Sequence, residues 1–242
     1  MKGLFIVICL FVALLPFDTL ANQSPTSDLF KTSEGNLGIF FIGHGSLMFM
    51  FGEKVIHVDP TNMIADYSQL LKADMVLITH DHPDHFDPKA LAQITTPLTP
   101  VITTETVAKK IKNAIIMKNG DTIKIEGLKV EAVPAYNIVH MRSPGMPYHP
   151  KGVGNGYIIT FGDKRVYIAG DTENIPEMKA LKNIDIAFFP MNVPYTMTPE
   201  MAADAAKAFR PKILYPYHYG KTDTSKLVDL LKGYRGIDVR IR

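Results

Sequence analysis

The segment Thr79-His80-Asp81-His82-Pro83-Asp84-His85 follows an apolar run, Met75-Val76-Leu77-Ile78. It places three histidines and Asp84 in the spacing H-x-H-x-D-H. Neutral imidazole and carboxylate are the donors that zinc and its neighbours prefer. A buried strand that ends on such a cluster demands a fold in which other strand ends meet it. In extended backbone, residues i and i+2 face one side, so His80 and His82 can grip one metal while Asp81 points away. Pro83 suits the first turn of a helix and redirects the chain, so Asp84 and His85 can face a second metal. The alternative is a solvated polar loop.

Further donors must come from elsewhere. Gly170-Asp171-Thr172 follows an apolar run at Arg165–Ala169, and His218 follows another at Ile213–Tyr217. Taken alone, Asp171 reads as a helix cap or turn residue, and His218 as a cap on a buried edge. Together with the first run they complete a constellation at strand ends.

The chain of 242 residues is 46% hydrophobic and 21% charged, enough for a sizeable core and one domain. A net charge of +2 makes nucleic acid an unexpected partner. Lys2, the apolar stretch Leu4 to Leu15, Pro16 and Thr19-Leu20-Ala21 read as a signal peptide over residues 1–21, cut after Ala21. The apolar run is shorter than the ~20 residues a spanning helix needs. The expectation is therefore export to the periplasm or medium, with no stable membrane insertion after cleavage. The single cysteine, Cys9, lies in that signal, so the mature chain would carry neither a thiol nor a disulfide.

Residues 22–35 read as a flexible mature N-terminus, ahead of a folded domain at 36–242. Strands are expected at Leu37–Ile42, Leu47–Phe51, Val55–Val58 and Met75–Ile78, then at Val101–Thr103, Ile115–Met117, Thr122–Ile125 and Lys129–Val133. Short helices are expected at Tyr67–Lys72, after the cap Asp87-Pro88 as far as Leu91, and at Glu105–Lys112. Residues 134–155 hold four Pro and three Gly without periodicity and read as a long loop. The second half repeats the theme, with strands at Tyr157–Phe161, Arg165–Ala169, Ile184–Phe189, Ile213–Tyr217 and Val239–Ile241. Its helices are expected near Pro176–Leu181, at Pro199–Phe209 with Thr198 as cap, and at Ser225–Leu231. Strands lead and helices follow in each half, which favours an α/β arrangement of two packed sheets with helices outside.

In these motifs the chain resembles the metallo-β-lactamase superfamily. The matching residues are the run from Thr79 to His85, then Gly170-Asp171-Thr172, then His218. Further stretches are similar to a branch of metal-dependent hydrolases that includes lactonase-like proteins. They are Phe41-Ile42-Gly43-His44-Gly45-Ser46, Val58-Asp59-Pro60, Val133-Pro134-Ala135-Tyr136-Asn137, His149-Pro150-Lys151 and Tyr195-Thr196-Met197.

The resemblance implies a four-layer αββα sandwich of two mixed β-sheets. It implies one metal on His80 and His82, a second on Asp84, His85 and His218, and Asp171 shared between them. One more histidine is expected from the loop between the halves. Many relatives place it directly after Pro-Ala, where this chain has Tyr136. His149 and His140 are the candidates, and the stretch at His149-Pro150-Lys151 favours His149. Asp59 and His44 are expected behind the ligands, with Asp59 holding an imidazole in the right tautomer. His57 reads as an ordinary strand residue. The implied metals are two Zn2+ ions, with Mn2+ or Fe also compatible with such donors.

The resemblance further implies hydrolysis by a metal-activated water of an ester-, lactone- or phosphodiester-type bond in a small-molecule substrate. Asp84 is the candidate catalytic residue, orienting the attacking water and passing its proton on. Lys151, Arg142 and Tyr148 could meet an anionic substrate. The competing readings are a non-catalytic metal sensor or scavenger on the same fold, a β-lactamase, and an oxygen-reducing di-iron protein.

Overall fold

The computed structural model describes residues 26–242, so the expected signal at 1–21 lies outside the described residues. The first sheet contains, in spatial order, β1 (Thr26–Thr32), β2 (Gly35–Gly43), β3 (Ser46–Phe51), β4 (Lys54–Val58), β5 (Met75–Leu77), β6 (Val101–Thr103) and β7 (Ile115–Ile116). Its first four strands form an antiparallel meander, and the last four pair in parallel. Parallel neighbours need crossovers, which α1 (Pro88–Ile94) and α2 (Glu105–Ala108) provide.

The second half contains β8 (Thr122–Ile125), β9 (Leu128–Ala135), a hairpin of β10 (Met141–Ser143) and β11 (Met146–Pro147), then β12 (Gly154–Phe161) and β13 (Lys164–Ile168). It continues with α3 (Pro176–Lys179), β14 (Ile186–Pro190), α4 (Pro199–Phe209), β15 (Ile213–Tyr217), α5 (Ser225–Leu231) and β16 (Asp238–Val239). The second seven-stranded sheet runs β16-β15-β14-β13-β12-β9-β8, again part parallel and part antiparallel.

Alternation along the strands builds three apolar layers. Met75 and Leu77 point between the sheets, where they join Ile39, Phe49, Ile56, Tyr157, Ile159 and Phe188. Val76 and Ile78 point outward onto Ala90, Leu91 and Ile94 of α1. In the second sheet Ile158, Tyr167, Phe189 and Leu214 face Ala202, Ala206 and Phe209 of α4 and Leu227 of α5. Both faces of the central strands are covered, which explains their continuous apolar runs. The result is the expected αββα sandwich.

The helix ends follow local chemistry. The Asp87 side chain accepts from the Lys89 N–H at 2.8 Å ahead of Pro88. Thr198 Oγ1 accepts from the Met201 N–H at 3.2 Å ahead of Pro199. Both satisfy a donor that the first helical turn leaves free.

Several expectations are corrected, among them the helix expected at Tyr67–Lys72, which is a 3-10 turn at Tyr67–Gln69. The helix expected at Glu105–Lys112 stops at Ala108. The expected loop at 134–155 contains the β10–β11 hairpin and the first residues of β12. Within the expected flexible segment, residues 26–35 instead form β1 and its turn into β2, paired from Thr26↔Phe41 to Thr32↔Gly35. This polar edge strand is held by its ladder and by one charge cluster. Asp28 Oδ1 accepts from Arg242 at 2.7 Å, Oδ2 accepts from Arg240 at 3.3 Å, and the Tyr215 hydroxyl also donates to Oδ2. Burial pushes the Asp28 carboxyl up, but the Tyr215, Arg242 and Arg240 donors outweigh it and hold it below its ordinary value.

A depressed folded-state pKa stabilises the fold above the unfolded value, about 3.9 for Asp, and that stability is lost as pH falls through the folded value. Asp28→Ala is therefore expected to cost about 1.5–3 kcal/mol at neutral pH, the range for hydrogen bonds to charged groups. The variant and the parent should converge in acid. Urea unfolding at pH 7 and in acid checks both parts.

Candidate metal centre

Strand ends from both sheets meet at one edge of the sandwich. His44 follows β2, Asp59 follows β4, His80 lies beyond β5, Asp171 beyond β13, and His218 follows β15. Ligands commonly bind at the carboxyl ends of strands in α/β sheets. The two sheets are tied here by the His218 N–H, which donates to the His44 carbonyl at 2.8 Å. Three non-glycine residues at this edge have left-handed backbone, His44 (φ 52°), Asp59 (φ 48°) and His218 (φ 45°). Such strain gathers where the surrounding structure over-determines a functional geometry.

The donors form two adjoining groups. His80, His82, His149 and Asp171 each offer an atom within 4.8 Å of the others, and so do His44, Asp84, His85 and His218. Asp171 lies between the groups. Its Oδ2 is 3.2 Å from His149 Nε2, 3.6 Å from His218 Nε2 and 3.9 Å from His80 Nε2, and its Oδ1 is 3.4 Å from His85 Nε2. Asp84 Oδ2 is 3.0 Å from His44 Nε2, 3.4 Å from His218 Nε2 and 3.9 Å from His85 Nε2.

Five of these atoms are buried without a hydrogen-bond partner: Nε2 of His80, His85, His149 and His218, and Oδ1 of Asp171. A buried polar group left unsatisfied costs about 1–3 kcal/mol. Five such atoms converging on one locus, all nitrogen or carboxylate oxygen, fit a bound metal. The cleft beside the first group has a volume of about 90 Å3 and is bordered by His80, His82, Tyr148, His149, Pro150 and Asp171.

Electrostatics agree with this donor set. Burial, helped by the neighbouring His85, pushes the His80 imidazole well below its ordinary pKa, which keeps it neutral as a ligand must be. Burial and His149 lower His82 in the same way. Burial pushes the Asp171 carboxyl up, but His218 and His85 outweigh it and hold it well below the carboxylate range. Burial also raises Asp84, and the His218 and His44 contacts override it so that Asp84 stays ionised. Burial lowers His85, yet Asp171 and Asp59 on either side raise it well above the ordinary value, so positive charge is favoured at that point.

Outer contacts fix the imidazoles. The His85 Nδ1–H donates to Asp59 Oδ2 at 2.8 Å, leaving Nε2 free to face the centre. Thr79 donates to the same carboxylate through its N–H and its hydroxyl, both at 2.7 Å. The hydroxyl in turn accepts from His80 Nδ1 at 3.0 Å. Asp59, fully buried, thus orients one imidazole in each group.

Gly45 makes room for this arrangement. A Cβ there would lie 2.7 Å from His85 Cε1 and 3.3 Å from His218 Cδ2. Gly45→Ala is expected to displace both rings and lower metal content at the His85–His218 group, with metal analysis as the check. The ordinary backbone at Gly45 makes space, not dihedral strain, the cause.

The expected donors His80, His82, Asp84, His85, His149, Asp171 and His218 all fall within the two groups. His140 lies outside both groups, with Nδ1 2.8 Å from Glu173 Oε1. His149 lies in the first group, beside His80, His82 and Asp171. Tyr136 turns away, and its hydroxyl donates to Glu177 at 2.9 Å. Lys151, a candidate for substrate contact, is instead committed to Glu177 at 2.8 Å. Tyr148 does border the cleft, with Arg142 over its ring at 5.9 Å. His57 is a buried strand residue whose Nε2 meets the Leu71 carbonyl at 3.0 Å, and burial lowers its pKa to about 4. Sequence reasoning assigns no role to Thr79, Asn137 or Glu173. Asn137 and Glu173 become visible only when the fold brings residues 36 apart into contact.

The family described as "Beta-lactamase superfamily domain" matches residues 38–218. A metal-dependent hydrolase of Thermoplasma acidophilum is 33% identical over 201 residues, covering 78% of this chain and 85% of that protein. The crystal structure of a candidate metal-dependent hydrolase from Parabacteroides distasonis is 54% identical, with a TM-score of 0.85 over 90% of this chain and 98% of that one. A metallo hydrolase from Ignicoccus hospitalis, 24% identical, shares the fold with a TM-score of 0.70 over 85% of this chain and 94% of that one. The donor geometry, the sandwich and these likenesses agree, and the chain belongs to the metallo-β-lactamase superfamily, among its metal-dependent hydrolases.

Proposed function

We propose that this chain is an exported dinuclear metallohydrolase, with zinc as its metal, acting on an ester-, lactone- or phosphodiester-type bond of a small molecule. His80, His82 and His149 would hold one ion, Asp84, His85 and His218 the other, and Asp171 both. The reading is carried by the five buried, unpartnered donor atoms that face one another across Asp171. Export is supported by Lys2, the apolar stretch Leu4 to Leu15 and the small residue Ala21.

Bound there, metal ions supply Lewis acidity and bring the pKa of water near neutrality. The protein supplies orientation and proton handling. His44 Nε2–H donates to Asp84 Oδ2 and holds that carboxylate against the centre. Ionised Asp84 accepts the proton of the attacking water and passes it to the leaving group. Tyr148 borders the cleft and would line the substrate's path, with Tyr195 packed edge-on at 5.0 Å as its support.

The test uses a p-nitrophenyl ester, a γ-lactone and bis(p-nitrophenyl) phosphate. Turnover of at least one should vanish on chelation, return with Zn2+, and fall by about 100–10,000-fold in Asp84→Ala, the range for loss of a general acid–base group. A fully metal-loaded chain that turns over none of a broad ester, lactone and phosphodiester panel would overturn the reading in favour of a metal-binding protein without activity.

A further inference from the structure

Among the expected ligands, His149 alone comes from the segment between β9 and β12, which also carries the β10–β11 hairpin. Two bonds to one side chain fix it. The His149 Nδ1–H donates to Asn137 Oδ1 at 2.6 Å, and the His149 backbone N–H donates to the same oxygen at 3.0 Å. The Asn137 N–H returns a bond to the His149 carbonyl at 2.8 Å.

The Asn137 amide is itself held, donating to Glu173 Oε1 at 3.1 Å and to the Tyr195 carbonyl at 2.9 Å. Glu173 is fully buried. Its Oε2 accepts the N–H groups of Ile138 and Val139, and its Oε1 accepts that of His140, each at 2.7 Å. Successive backbone N–H groups make a cradle for an anion. Burying a carboxylate is costly unless it is fully hydrogen-bonded, and this one meets its donors in the segment that presents His149. Glu173 lies two residues beyond Asp171, and its own N–H donates to the Tyr136 carbonyl at 3.0 Å.

We propose that Glu173, acting through Asn137, is the positioning residue for His149, and that it ties the His80–His82–His149 group to the strand end bearing Asp171. The inference rests on the dinuclear reading above. It assigns a carboxylate that touches neither group of donors to the assembly of one metal site and not the other. The two sites then differ in what they need. The His85–His218 group is complete without the 137–149 segment, whereas the His80–His82 group depends on it.

The test is zinc binding by chelator competition on the full chain and on Glu173→Gln, Asn137→Ala and Lys151→Ala, with circular dichroism to confirm folding. Glu173→Gln turns an amide N–H2 towards N–H donors, and Asn137→Ala cuts the link while leaving the cradle. Asn137→Ala decides the matter if Glu173→Gln does not fold. The parent should bind two ions. Glu173→Gln and Asn137→Ala should each keep one at the parent affinity and bind the other about 10–100-fold more weakly, the usual loss for a partner behind a ligand. Cobalt-loaded samples should lose the absorption of one ion only, and Lys151→Ala should match the parent. Equal weakening of both sites in Glu173→Gln and Asn137→Ala, or two ions at parent affinity in those variants when folded, would overturn the inference. A parent chain holding fewer than two ions would instead overturn the dinuclear reading itself.

Discussion

Asp171→Ala is expected to lower hydrolysis by more than about a hundredfold, beyond the 10–100-fold that loss of a partner behind a ligand costs. It should also leave no more than one tightly bound ion. Asp171 is the only residue whose oxygens approach the imidazoles of both groups, at 3.2 Å from His149, 3.4 Å from His85 and 3.6 Å from His218 among the described residues. Its removal leaves three imidazoles in each group, with Asp84 the one remaining carboxylate and no negative charge shared between them. Like-charged cations held side by side then repel without compensation. Turnover and metal content measured on one preparation check the prediction. Asp81→Ala is the matched control, because that neighbouring carboxylate points away to Lys110 at 2.7 Å. It should keep both ions.

Asp59→Ala has the second largest expected effect, and it acts on stability and metal binding together. The carboxylate is fully buried and accepts from the His85 Nδ1–H, the Thr79 N–H and the Thr79 hydroxyl. Breaking one side of such a buried, hydrogen-bonded charge arrangement costs about 3–5 kcal/mol. Without it, His85 is free to carry its proton on Nε2, the wrong nitrogen for ligation. Thr79 also loses the acceptor that directs its hydroxyl towards Asp59 and leaves its lone pair for His80. Both sites should therefore weaken by about 10–100-fold. Denaturant unfolding and chelator competition separate the two consequences. Asp59→Asn should show the metal-binding defect more cleanly, because the shape is kept while one acceptor oxygen becomes a donor.

The metal-binding edge was legible where its chemistry is local. The His80–His85 run carries its own spacing, and Asp171 and His218 each follow a strand whose apolar residues announce it. His149 was harder, because His140 and His149 sit in the same Pro- and Gly-rich segment. What separates them is contact with partners far along the chain. His149 is gripped by Asn137 twelve residues away, while His140 is drawn aside by Glu173 at a separation of 33. No periodicity encodes such pairings. The edge strand β1 was invisible for a related reason. Most of its residues are polar, and they alternate only between exposed and half-buried, so the hydrophobic pattern is weak. It is held by backbone bonds to β2 and by Asp28, which reaches Tyr215 across 187 residues. The short helix at Glu105–Ala108 ended early in a basic stretch whose Lys110 is spent on Asp81.

The central claim is that two adjoining donor groups share Asp171 and hold two ions. Anomalous diffraction from crystals of the zinc-loaded chain tests it most directly. The account predicts two peaks flanking Asp171, one about 2.1 Å from the Nε2 atoms of His80 and His149, the other at that distance from Nε2 of His85 and His218. A single peak, or ions that leave His149 or His218 unligated, would contradict it.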